Sequence, residues 1–153
     1  MKKNFKLVLL ILIIIFISLF MCFVLYNKKN NDKQYEQIDL SDVFLDINHF
    51  YFNEFNSLDL KYDSVMFIPI DLTNVSEYLI GVSSIDEKEY FIILNGLSEN
   101  NIELLKENVK MEQEHGNKYF KDTKVITKNN YTYMVVTREK NSIINQIINS
   151  YID

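Results

Sequence analysis

The sequence predicts an α+β protein. An N-terminal transmembrane helix precedes a small domain with a largely antiparallel sheet, made of two hairpins, and three helices. Three observations carry this reading. Residues 7–26 form one apolar run with Ser18 as the single exception. Two pairs of β-rich segments are each joined by a few polar residues. Three segments with helical periodicity lie before, between and after those pairs.

The apolar run, LVLLILIIIFISLFMCFVLY, is twenty residues long, enough to cross a hydrocarbon core of about 30 Å as a helix. Residues 1–6 form a short basic tail, and Tyr26 suits an interfacial position. A cleaved signal peptide would have a shorter apolar stretch and an A-x-A-like site, but the chain contains no alanine. A lipoprotein signal ending at Cys22 would carry a small residue before it, where this chain has Met21. The run therefore reads as a retained signal-anchor, with Cys22 as a small apolar residue. Three lysines lie on each flank. The free amino group and the short tail favour an N-terminus inside and the domain outside, at the cell membrane.

Residues 27–37, NKKNNDKQYEQ, are a polar linker, and 38–153 are one domain. From Ser41 a helical stripe comprises Val43, Phe44, Ile47, Phe50, Tyr51 and Phe55, with Ser41 or Asp39 as cap. Val65–Ile70, broken by Pro69, is at best an extended edge segment. Glu77–Ile85 and Glu89–Asn95 are strands joined through Asp86-Glu87-Lys88. A helix runs from about Glu99 to His115, capped by Ser98, stapled by Leu97 and Ile102, and stopped by Gly116. Lys124–Lys128 and Tyr131–Arg138 form the second hairpin around Asn129-Asn130, residues that tolerate positive φ. Asn141 caps a last helix with Ile143, Ile144, Ile147, Ile148 and Tyr151 on its apolar stripe. This order predicts helices covering one face of the sheet.

Residues 68–138 resemble an uncharacterised exported bacterial family, the domain of unknown function numbered four-three-five-eight. The resemblance is carried by Ile70-Asp71, Glu77-Tyr78-Leu79-Ile80, the strand Glu89–Leu94, the helix from Ser98, Val125–Thr127, Asn130-Tyr131 and the strand to Val136. Met111–Lys118 is shorter than the corresponding family connection, and Asn130 stands where the family often has glycine. The resemblance implies an exported, anchored α+β domain and supplies no catalytic residues.

Charge divides along the chain. Residues 1–33 carry six lysines against Asp32, whereas 34–153 carry ten basic side chains against twenty acids. An acidic domain does not supply a basic face for nucleic acid. One cysteine excludes an intrachain disulfide and a cysteine-based zinc site. His49 and His115 are the only histidines. Glu112/His115 could face one way, but a di-metal site needs further ligands, so both histidines read as ordinary helix residues and no metal is expected. Asp86, Glu87 and Glu89, and likewise Glu99, Glu103 and Glu107, read as solvated acidic faces. No G-x-S-x-G, S-x-x-K, P-loop or G-x-G-x-x-G is present.

The expected function is therefore non-enzymatic and needs no cofactor: an anchored extracytoplasmic domain that binds a protein or another cell-envelope component. Tyr131 and Tyr133, on one face of the last strand, are the candidate binding face, against the plainer reading of a face covered by helix. The rivals are a small-ligand sensory domain, which requires an apolar cavity, and an envelope-acting hydrolase, which requires a pocket with convergent polar groups.

Overall fold

The computed structural model describes residues 16, 18, 20, 21, 38–58, 72 and 74–153. The chain divides into two compact units, 1–37 and 38–153. In the first, the described residues Phe16, Ser18, Phe20 and Met21 are helical and exposed. Among the described residues no helix is long and apolar enough to cross a membrane. The rest of the apolar run 7–26, the linker 27–37 and the segment Val65–Ile70 lie outside the described residues.

The second unit is an α+β domain with three helices and a five-stranded antiparallel sheet. Helix α1 (Leu40–Phe50) leads into strand β1 (Phe55–Ser57), followed by β2 (Glu77–Ser83) and β3 (Tyr90–Asn95). Helix α2 (Glu99–Glu114) precedes β4 (Ile126–Lys128) and β5 (Tyr131–Val136), and α3 (Asn141–Ile152) closes the domain. The sheet order is β1-β2-β3-β5-β4. Both expected hairpins are present, and β3 joins them by pairing with β2 on one side and β5 on the other.

Helices cover both faces of the sheet, not one as the element order suggested. Leu79, Phe91, Ile93, Tyr131, Tyr133 and Val135 pack against Val43 and Ile47 of α1 and Ile144 and Ile148 of α3. Ile80, Val82, Ile92, Leu94, Met134 and Val136 point the other way and pack against Leu105 and Val109 of α2. The cause is legible in β3, where five consecutive residues, Tyr90–Leu94, are apolar or aromatic and buried. A strand with one wet face would alternate.

Several local expectations are corrected. Helix α1 stops at Phe50, so Phe55 belongs to β1, a strand the periodicity concealed. Asp39 is the cap: its Oδ1 accepts from Ser41 N at 2.9 Å, and bonds from the Ser41 hydroxyl and amide hold its carboxyl below the usual range. Ser98 occupies the N-cap of α2 without a side-chain bond. Leu97 and Ile102 nevertheless lie in one apolar cluster, as a staple requires. Asn141 does not cap α3. Its amide turns back to Thr137 O, while the Thr137 hydroxyl accepts from Lys140 N. Asn129 and Asn130 take φ of 49° and 70°, the paired positive values of a tight hairpin turn. Gly81 lies directly opposite Phe91, and a Cβ there would fall 2.3 Å from the aromatic ring.

Candidate functional site

An ion-pair network and several exposed apolar side chains gather where β2 and β3 turn. Glu54 follows the α1–β1 turn, and its carbonyl accepts from Ser84 N at 2.8 Å. This bond brings that turn beside the β2–β3 hairpin. The end of β5 and the start of α3 complete the neighbourhood, because Val136 pairs with Tyr90.

Inside this region Lys140 Nζ donates to Glu54 Oε1 at 2.6 Å and to Glu89 Oε2 at 2.5 Å. Both carboxylates are buried. The Ser83 hydroxyl donates to Glu54 Oε1, and Arg138 N donates to Glu89 Oε1. Arg138 Nη2 reaches Asp86 Oδ2 at 2.7 Å, and the Tyr119 hydroxyl donates to the same oxygen at 2.9 Å. Burial draws the Lys140 ammonium down, but its bonds to Glu54 and Glu89 outweigh this and raise its pKa above the ordinary lysine value. The Tyr119 bond, helped by Lys88 N and the Arg138 guanidinium against some desolvation, holds the Asp86 carboxyl below its usual range. The two glutamates thus share one cation, and each is further tied by a neighbouring donor. Such an arrangement fixes three chain segments relative to one another.

Exposed apolar side chains flank this network. Phe52 is 93% exposed and Ile85 is 81% exposed, on the two turns that the Glu54–Ser84 bond joins. Phe50 is half exposed, with its ring 5.1 Å from that of Tyr51. Phe52 has φ 54° and Asn53 has φ 61°. Asn53 N donates to Asn48 O at 2.7 Å, which makes the turn a Schellman motif with Phe52 at the left-handed position. Glycine is the usual occupant there. A bulky aromatic pays a steric cost of about 1–2 kcal/mol.

Tyr131 and Tyr133, the candidate binding face, are 2% and 1% exposed. The plainer reading, a face covered by helix, is the one the structure shows, and α1 and α3 cover it, so these two tyrosines do not form an exposed binding face. The Tyr131 hydroxyl accepts from Ile38 N at 3.2 Å, and the Tyr133 hydroxyl donates to Asn149 Oδ1 at 2.6 Å. Burial raises the Tyr133 phenol pKa. Glu89 and Asp86 also depart from the solvated reading, since one is buried and the other half-buried in the network. Glu99, Glu103 and Glu107 are exposed on α2 as expected, with Lys106 paired to Glu103. His49 and His115 are exposed, and Glu112 accepts from Asn117 Nδ2. Among the described residues no group of three His, Cys, Asp or Glu side chains is placed to hold a metal ion.

Sequence reading missed Phe52 because the aromatic-rich stretch Phe50–Phe55 continues a helical stripe. Asn53 was the one residue there with a known tolerance for positive φ. No family model matches the chain, and no curated protein or solved structure is significantly similar to it. The resemblance of residues 68–138 to the exported family gains no support from these comparisons.

Proposed function

We propose that this chain is a membrane-anchored, non-enzymatic binding protein. Its extracytoplasmic domain would engage a protein of the cell envelope through Phe50, Phe52 and Ile85. The anchor reading rests on the apolar run 7–26 and its flanking lysines. The binding reading rests on one observation: a phenylalanine held in a left-handed conformation and 93% exposed. Backbone strain and full exposure of an aromatic both cost stability, and strain of this kind concentrates at working surfaces. The ion-pair network beneath gives the tips a rigid base, as a preformed contact surface requires.

The test is a photo-crosslinking side chain placed at position 52 of the full chain in living cells, with one at Leu104 of α2 as control. A discrete adduct at 52 that is lost in an Ile85→Asp background supports the reading. Equal adduct patterns from the two positions would sink it. Labelling of an engineered surface cysteine from outside intact cells tests the orientation separately.

A further inference from the structure

Beyond the apolar tips, the same end of the domain gathers cations in a way its overall charge does not foretell. The region 34–153 carries twenty acids against ten basic residues. Yet Lys88 Nζ, Lys118 Nζ and Arg138 Cζ lie 5.9, 5.5 and 5.1 Å from the centre of one ring, that of Tyr119. Asp86 is held by Arg138 and the Tyr119 hydroxyl, and Arg138 Nε also lies 3.7 Å from Glu89 Oε1. Neither lysine has a carboxylate within ion-pairing distance among the described residues. Lys88 and Lys118 thus place beside the ring two positive charges that no carboxylate among the described residues pairs. The adjacent Glu54–Lys140–Glu89 trio carries one net negative charge; its carboxylates are buried, both bind Lys140, and Glu89 also pairs with Arg138. Glu87, at the hairpin tip, is exposed and makes no ion pair among the described residues.

We propose that Lys88, Lys118 and Arg138, set around Tyr119, bind a phosphomonoester dianion. The charge matches: such a group carries about −1.5 to −2 at pH 7 and offers three strong acceptor oxygens. The two ammonium groups supply point charges that no carboxylate among the described residues pairs, and Arg138 retains guanidinium N–H groups beyond those directed at Asp86 and Glu89. Tyr119 acts as a spacer. Its ring is buried, its hydroxyl is tied to Asp86, and each of the three cations lies 5.1 to 5.9 Å from its ring centre.

The test uses the full chain in neutral nanodiscs, titrated calorimetrically with inorganic phosphate and with glycerol 3-phosphate at constant ionic strength. A third arm places phosphatidic acid in the disc, so that a lipid headgroup is distinguished from a free phosphate. The expected result is saturable binding that weakens by about fivefold or more in Lys88→Gln and in Lys118→Gln, because each removes a charge-assisted bond. Lys110→Gln on α2 should bind as the parent does. Affinity should also fall below about pH 6, as the dianion takes up its proton. Both lysines are exposed, and unchanged melting temperatures would show that the variants fold. Parent-like binding by the Lys88→Gln/Lys118→Gln double variant, or no saturable binding in any arm, overturns the proposal. Neither result depends on whether Phe52 yields a crosslink.

Discussion

The Asn48 side chain pairs with the backbone of Phe55 as a neighbouring strand would. Its Nδ2 donates to Phe55 O at 2.8 Å, and its Oδ1 accepts from Phe55 N at 2.8 Å. Strand β1 is three residues long and, among the described residues, pairs with β2 on one side only. A single buried amide on α1 therefore satisfies what would otherwise be an unpaired buried donor and acceptor.

Asn48→Ala leaves both Phe55 backbone groups without partners. Each unsatisfied buried group costs about 1–3 kcal/mol, so we expect a loss of about 2–4 kcal/mol. Urea unfolding followed by circular dichroism measures it. Asn48→Asp should be no milder, because a carboxylate cannot donate to Phe55 O. A loss below 0.5 kcal/mol for Asn48→Ala would show that water replaces the amide at little cost.

Lys140→Met tests the shared cation. It leaves Glu54 and Glu89 buried without their common partner, a change that typically costs about 3–5 kcal/mol. Glu54→Gln/Lys140→Met/Glu89→Gln should recover part of that loss. The raised pKa of Lys140 fixes the sign of the pH dependence. Its stabilisation is complete below the unfolded-state value of about 10.4 and is lost as pH rises through the higher folded value. The parent should thus lose more stability than Lys140→Met between pH 9 and 12, as read from paired urea midpoints.

Gly81 faces Phe91 with no room for a methyl group, since the added Cβ would sit 2.3 Å from the ring. Gly81→Ala should destabilise by about 1–3 kcal/mol as the ring is forced from its site. Phe91→Leu frees space, so the double variant should be more stable than the two single losses predict. A double-mutant cycle with strictly additive losses would show that the ring yields without resistance.

Phe52→Gly should raise stability by about 1 kcal/mol, because glycine adopts the left-handed conformation without the steric cost of a Cβ. The same change should abolish crosslinking through neighbouring Ile85. A variant that is more stable yet unable to bind would show what the phenylalanine is retained for.

Most of the scaffold could be read from the sequence because its signals are local. The alternation around Asn129-Asn130, the run Tyr90–Leu94 and the isoleucine stripe of α3 each specify an element without reference to the remainder of the chain. The layer count was also present in β3, whose residues of both parities are apolar, but it was overridden by the order of elements. The site was not legible. Glu54, Glu89 and Lys140 are far apart in the chain and look like any exposed charges until packing brings them together. Tyr131 and Tyr133 left a wet face open as the lesser reading, but Ile38 N and Asn149 satisfy their hydroxyls beneath the helices that cover them. Phe52 was hidden by a helical rhythm that continues past the residue where the helix ends.

Strands β2, β3 and β5 each send side chains into both apolar clusters, and β3, at the centre of the sheet, pairs with its hairpin partner β2 and with β5 of the other hairpin. Neither layer can melt while leaving β3 intact for the other. Damage to α2 should therefore accelerate amide hydrogen exchange under α1 and α3 as well, with the β3 amides opening only in global unfolding. The domain is consequently built as one cooperative unit, and its outer turns can vary in sequence as long as this central strand keeps both of its faces dry.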